Sequence, residues 1–193
     1  YDKQIRFINE SEWGVLMDTK EALTGPEMGA VVLSNYRMLS AESDRGAVLL
    51  ASSIIERGLS ELICAYLLES DNKKDELFTG PAAPLGTLES KIAMAYRLGL
   101  IRRFVRDYLD IFRRMRNDFA HNIERYSFDD PSVTNRLNEI YRIRKVESEY
   151  LDQLFVDTKK EATVRDKFLM FFSLDMAAIQ RISLTVERIA PLD

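Results

Sequence analysis

Ala47-Val-Leu-Leu-Ala-Ser-Ser-Ile-Ile-Glu-Arg-Gly-Leu-Ser-Glu-Leu-Ile-Cys-Ala-Tyr-Leu67 is the stretch whose reading decides the fold. Its apolar residues Ala47, Leu50, Ala51, Ile54, Ile55, Leu59, Leu62, Ile63, Tyr66 and Leu67 return every three or four positions, the spacing that gathers side chains on one face of a helix. The stripe is broad and lasts about six turns at ~3.6 residues per turn, so the segment predicts the central helix of a helical protein. Ser43-Asp44 supplies an N-terminal cap. The polar run Glu69-Ser-Asp-Asn-Lys-Lys-Asp-Glu76 marks the other end, and Phe78-Thr-Gly-Pro-Ala-Ala-Pro-Leu-Gly86 is the strongest loop signal in the chain.

Working outward, the same periodicity recurs on both sides. Upstream, after Gly25-Pro26, a helix is expected from about Glu27, with Val31, Val32, Asn35, Met38 and Leu39 on one side. Downstream, Thr87 caps a short helix, Leu88 to Leu98, closed by Gly99. A fourth helix runs from Phe104 to Asn122 and aligns Phe104, Tyr108, Ile111, Phe112, Met115 and Phe119. In Phe128-Asp-Asp-Pro-Ser132 the chain turns and re-enters a helix, because Asp130 can cap and Pro131 suits the first helical position. That helix reaches about Arg142. The charged stretch Arg142-Ile-Arg-Lys-Val-Glu-Ser-Glu149 follows, then Tyr150 to Val156 and a long final helix from Thr163 to Ile189.

The final helix has too wide an apolar arc for a lone surface helix, and packs on the bundle or on a second copy. No internal repeat, sustained heptad or convincing strand interrupts this pattern. The expected architecture is therefore all-α: an antiparallel helical bundle with an additional long C-terminal helix. Its organisation is an N-terminal extension over 1–22, a bundle over 23–144 and C-terminal helices over 145–193.

Composition bounds the function. A chain of 193 residues with 46% hydrophobic and 30% charged residues can bury a core without disulfides or a structural metal. Cys64 is the single cysteine, which excludes an intramolecular disulfide and a multi-cysteine zinc site and points to a reducing compartment or to no redox requirement at all, with the cytoplasm as the default expectation. No apolar run approaches the ~18 residues of a membrane span, so no membrane partner is expected. Tyr1-Asp-Lys-Gln-Ile5 does not read as a signal peptide, lacking a basic segment followed by an apolar one. The net charge of -4 argues against a surface that grips nucleic acid all round, yet the basic residues are unevenly placed. Between Arg97 and Arg116 stand seven arginines (Arg97, Arg102, Arg103, Arg106, Arg113, Arg114 and Arg116) against Asp107 and Asp110. Guanidinium groups favour bidentate phosphate or carboxylate contacts, so Arg102, Arg103, Arg106, Arg113 and Arg114 are candidate RNA or DNA contacts. The competing expectation is pairing with acids of neighbouring helices, such as Glu56, Glu61 and Glu89.

The segment Arg113-Arg-Met-Arg-Asn-Asp-Phe-Ala-His121 gathers the only histidine, three arginines, an asparagine and an aspartate. Arg114, Asp118 and His121 share a helical face, and His121 lies roughly opposite the stripe through Phe112 and Phe119. It is either a solvent-facing group near a helix C-terminus or a general acid or base, with Arg116 stabilising phosphate charge. On an ideal helix Arg116 and His121 stand about 140° apart, so they converge only if the helix end distorts or a second copy completes the site. Glu56, within the central apolar helix, is expected to need a buried partner, with Arg116 as candidate for a structural ion pair. No glycine-rich phosphate loop, His-Glu-x-x-His or nucleophile elbow is present, and no cofactor or metal is expected. Thr87 to Ile101 has the outline of a helix-turn-helix, but the following segment reserves Phe104 and Tyr108 for the core.

Four blocks, in order, resemble the mannitol operon repressor family: Ala41-Glu-Ser-Asp-Arg-Gly-Ala-Val-Leu49, Leu85-Gly-Thr-Leu-Glu-Ser-Lys-Ile92 with Ala95-Tyr-Arg-Leu-Gly-Leu100, Ile111-Phe-Arg-Arg-Met-Arg-Asn-Asp-Phe-Ala-His121, and Phe128-Asp-Asp-Pro131. The likeness covers roughly Leu23 to Tyr141. It implies an all-helical regulator that lacks an evident DNA-binding motif and acts through a transcription-associated partner protein. The shorter Arg116-Asn-Asp-Phe-Ala-His121 also resembles the Arg-x4-His signature of HEPN (higher eukaryote and prokaryote nucleotide-binding) domains, dimeric helical bundles that include ribonucleases. That resemblance implies a homodimer and metal-independent RNA cleavage, with Arg116, Asn117 and His121 as the catalytic set.

Overall fold

The computed structural model describes residues 25–72, 74–121, 127–157 and 161–191. Among the described residues the chain forms seven helices and no strand: α1 (Pro26–Ser40), α2 (Asp44–Tyr66), α3 (Leu88–Arg97), α4 (Arg103–His121), α5 (Pro131–Ile143), α6 (Lys145–Asp157) and α7 (Val164–Ser183). The N-terminal extension expected over 1–22 lies outside the described residues, as does Asn122. Among the described residues no helix is long and apolar enough to cross a membrane.

Most helices begin where the sequence supplies an acceptor for their first free N–H groups. The Ser43 hydroxyl accepts from the Gly46 N–H (3.1 Å), and Asp130 accepts from Ser132 (2.8 Å) with Pro131 behind it. Thr87 with Ser90, and Thr163 with Asp166, form reciprocal capping boxes. Each such cap stabilises its helix by ~1 kcal/mol. After α3, Gly99 takes φ +74°, a conformation that costs a Cβ-bearing residue energy, and the Leu100 N–H returns to the Ala95 carbonyl (2.9 Å).

The packing follows from the wide apolar arcs of α2 and α7. These two helices run side by side in the same direction: Arg165 meets Asp44, Ile179 meets Gly58, and the Ile189 N–H donates to the Tyr66 carbonyl (2.9 Å). α1 and α4 run against α7, as the pairs Asn35–Ser173 and Tyr108–Phe171 show. The centre is aromatic. Phe112 stacks on Phe172 (4.2 Å between centroids), Phe168 lies 4.6 Å from both Phe172 and Phe128, and all four rings are buried. Phe168 and Phe172 belong to α7, so the C-terminal helix supplies the middle of the core.

At the opening of α7, Arg165 fastens three segments together. Its guanidinium reaches Asp44 Oδ1 (2.6 Å) and the Glu42 carbonyl (2.6 Å), while Asp44 Oδ2 accepts the Phe128 N–H (2.9 Å). This joint holds the α1–α2 turn against the start of α7 and the approach to α5.

Two boundaries differ from the expectation. The charged stretch after Arg142 is helical: the chain bends at Arg144 (φ -103°, ψ 51°) and α6 starts at Lys145, because Arg144, Glu147 and Ser148 are turned inward. The final helix stops at Ser183 instead of Ile189. There Ser183 and Thr185 hydroxyls donate to the carbonyls of Gln180 and Ile182, local bonds that compete with helix continuation, and the chain crosses to α2 through Ile189.

The α2–α7 crossing is close enough to be tested. A Cβ added at Gly58 would stand 2.8 Å from Ile179 Cγ2, an atom fixed by β-branching. Gly58→Ala gains ~1 kcal/mol of helix propensity but meets an overpacking cost of ~1–3 kcal/mol. The expected net result is a destabilised protein, read as a lower denaturant midpoint with unchanged slope. A midpoint above that of the wild type contradicts this packing.

Candidate functional site

α4 carries most of the residues the sequence singles out, and its faces separate them. Val105, Tyr108, Leu109, Phe112, Met115 and Phe119 point into the core. On the other side, Arg114 and His121 are exposed, and Arg116, Asn117 and Asp118 are half-buried. Arg116 Nη1 donates to Asn117 Oδ1 (3.1 Å), while Arg116 Nε is buried without a hydrogen-bond partner among the described residues. Asp118 pairs with Arg136 of α5 and thus belongs to the α4–α5 contact rather than to His121.

The helix stays regular through His121. The distortion that would bring Arg116 and His121 together is therefore not present, and among the described residues no hydrogen bond or ion pair joins them. His121 stands at the end of α4, two residues beyond Phe119, whose ring packs on Phe128. Arg103 stands at the other end, about 27 Å away at ~1.5 Å per residue. The basic stretch is thus divided along α4: Arg103 and Arg106 lie at the end away from the histidine, whereas Arg113, Arg114 and Arg116 lie within about 12 Å of it along the axis.

Several of the arginines are engaged within the chain. Arg106 pairs with Asp107 (2.6 Å) and covers the Tyr96 ring (4.5 Å to its centroid). The Asp107 carboxylate, with burial opposing it, holds the Arg106 pKa above its usual value. Arg103 reaches the same aspartate at 3.9 Å. Arg113 bridges Glu89 of α3 (3.3 Å) and Asp110 (3.7 Å), and Arg114 Nε donates to the Asp110 carbonyl (3.2 Å). Arg97 and Arg102 are exposed beside the α3–α4 turn.

The ion pair expected between Glu56 and Arg116 is not formed. Glu56 pairs with Lys91 of α3 at 2.8 Å, and the lysine is buried. The helical wheel of α2 gives the direction in which Glu56 points but not which neighbour lies there, and the cation comes from α3.

The most deeply buried charge cluster lies elsewhere and was missed in the sequence. Arg144, Glu147 and Asp175 have relative exposures of 5%, 7% and 4%. Arg144 Nη1 donates to Asp175 Oδ1 (3.0 Å), and its Nε lies 3.2 Å from Glu147 Oε1, outside hydrogen-bond alignment. Its guanidinium also lies over Tyr108 at 4.8 Å and Phe171 at 5.5 Å. Burial works against the charge on Arg144, but Asp175, Tyr108 and Glu147 outweigh it and keep the guanidinium firmly protonated. Burial raises the Asp175 pKa, with Arg144 opposing. Burial and the Asp175 charge raise the Tyr108 phenol well above its usual range. The only sequence signal was an arginine and a glutamate three residues apart in a run that also reads as solvated surface. The aspartate lies 31 positions away, on another helix.

This cluster sets a pH dependence. Because the folded pKa of Asp175 is raised, its contribution to stability is full below the unfolded value of ~3.9 and is lost as pH rises through the folded value. Asp175→Asn keeps an oxygen for Arg144 and removes the titration. The variant should gain on the wild type as pH rises above ~4, in urea unfolding at a series of pH values; a constant difference contradicts the assignment. Arg144→Met strands two buried carboxylates and should cost ~3–5 kcal/mol. Comparison of the chain with protein-family models, curated proteins and solved structures finds no match in any of the three.

Proposed function

We propose that the chain is a mannitol-repressor-like transcriptional regulator, a cytoplasmic homodimer that acts mainly as a protein-interaction module. The observation that carries this reading is the internal engagement of the basic helix. Arg103, Arg106 and Arg113 lie against Asp107, Asp110 and Glu89, so α4 does not present the continuous row of cations that follows a phosphate backbone. The blocks behind the family resemblance also touch one another. Asp44 holds the Phe128 N–H, Glu89 holds Arg113, and Phe119 packs on Phe128 at 6.2 Å. Residues that share a motif and also hold one another in space support a common scaffold. Affinity capture from lysate is expected to retain a transcription-associated protein after nuclease treatment. Recovery of no such protein, or its loss with nuclease, overturns the reading.

The rival is a HEPN-type, metal-independent ribonuclease in which His121 is acid or base, Arg116 stabilises the phosphate and Asn117 orients it. One observation favours it: Asn117 already holds the Arg116 guanidinium at 3.1 Å, one turn before the exposed His121. With α4 regular, the second copy has to bring its own end of α4 to the site. Under this rival, RNA is cleaved in EDTA to a cyclic phosphate, and His121→Ala abolishes cleavage. Intact RNA eliminates it. If Arg116 instead serves structure alone, Arg116→Ala lowers thermal stability more than His121→Ala does.

A further inference from the structure

α6 is lightly held. It packs chiefly on α5 and α7, and the bend at Arg144 separates it from α5. Its one fully buried apolar side chain is Leu151; Tyr150, Leu154 and Phe155 are half-buried, and Val146 and Val156 are exposed. The other side chains it buries, Glu147 and Ser148, are polar. The helix is also acidic, with Glu147, Glu149, Asp152 and Asp157 against Lys145.

It lies along a strip of two rings between two cations. Arg144 stands 5.5 Å over Phe171, Phe171 meets Tyr141 edge-on at 5.3 Å, and Lys167 Nζ stands 4.7 Å over Tyr141. α6 brings an acid to each end: Glu147 faces Arg144, and Asp152 accepts from Lys167 at 2.7 Å. The fit is poor at the first end. Arg144 stands against two carboxylates; it donates to Asp175 at 3.0 Å, while its buried Nε, 3.2 Å from Glu147, has no aligned hydrogen-bond partner among the described residues. Two buried carboxylates beside one cation repel each other. Departure of α6 leaves Arg144 and Asp175 as a one-to-one pair under the Tyr108 and Phe171 rings, and opens Arg144 Nε and the Lys167 ammonium to other acids.

We infer that this strip is a docking groove for an acidic amphipathic helix of a partner protein, and that α6 fills it in the free chain as a displaceable substitute. Charge complementarity selects the occupant: an acid for Arg144, an apolar side chain one turn later and an acid next to it for Lys167, as Glu147, Leu151 and Asp152 are arranged on α6. A phosphate backbone fits less well, because only two cations line the strip and Asp175 stands behind one of them. The inference rests on the interaction-module reading and gives that module a location and a partner chemistry.

In hydrogen exchange on the full chain, the α6 amides are expected to exchange faster than those of α5 and α7; one common rate for all three overturns the proposal. Docking is read by fluorescence anisotropy of a labelled peptide with the α6 sequence, Lys145–Asp157. The wild type, whose own α6 fills the groove, is expected to bind it weakly. Asp152→Lys in the chain sets a like charge against Lys167 from a side chain that is 58% exposed, so it releases α6 without touching the core and should tighten peptide binding about tenfold. The milder Asp152→Asn should tighten it by less. Adding Lys167→Glu to Asp152→Lys restores an opposite-charge pair and should return binding to the wild-type level. Thermal unfolding of each variant checks that the bundle is intact. Equal binding by the wild type and the Asp152 variants, equal binding of a scrambled peptide, or displacement of the peptide by less single-stranded RNA than unlabelled peptide overturns the proposal. Lysate capture separates the two readings. A transcription-associated partner retained equally by the wild type and Lys167→Glu preserves the module and rejects only this groove.

Discussion

A guanidinium in the interior must be answered on every side, and Arg144 is answered by four helices. It caps α5, faces Glu147 on α6, bonds Asp175 on α7 and lies over Tyr108 of α4. An uncompensated charge at that depth costs several kcal/mol, so these helices have few alternative ways to pack. The nearby aromatic core is permissive by comparison, since hydrophobic contacts tolerate rotation and sliding that a directed ionic contact does not. Arg144 therefore makes the arrangement of the bundle specific, whatever its net contribution to stability.

The same division between charge and apolar packing explains what the sequence made legible. Helix periodicity and caps depend on residues within a few positions of one another, and Ser43, Thr87 and Asp130 all cap where the local chemistry says they should. Ion-pair partners depend on which helices are neighbours. Glu56 found Lys91, and Arg144 found Asp175, because tertiary packing brought them together over 35 and 31 positions. The bend at Arg144 was hidden for the same reason, since a run of charges looks like surface until its partner is known.

For the candidate site, sequence proximity was the misleading cue. A basic stretch ending in the only histidine reads as a single site, but a helix converts eighteen positions into about 27 Å at ~1.5 Å per residue. The faces of α4 then divide the group again, sending Asp118 to Arg136 and Arg113 to Glu89. The exposure of His121 was legible because it needed only the helical wheel. Its relation to Arg116 was not, since on a regular helix the two diverge.

The parallel pairing of α2 and α7 has a cost during synthesis. Arg165 and Asp44 are 121 positions apart, so at ~5–20 residues per second α2 waits roughly 6–24 s for its largest neighbour to be made. During that interval the side of α2 destined for α7 has no permanent cover, and its apolar residues are open to other chains or to chaperones. A chain halted before Val164 stays in that condition, holding a complete central helix and lacking the residues that make it soluble company.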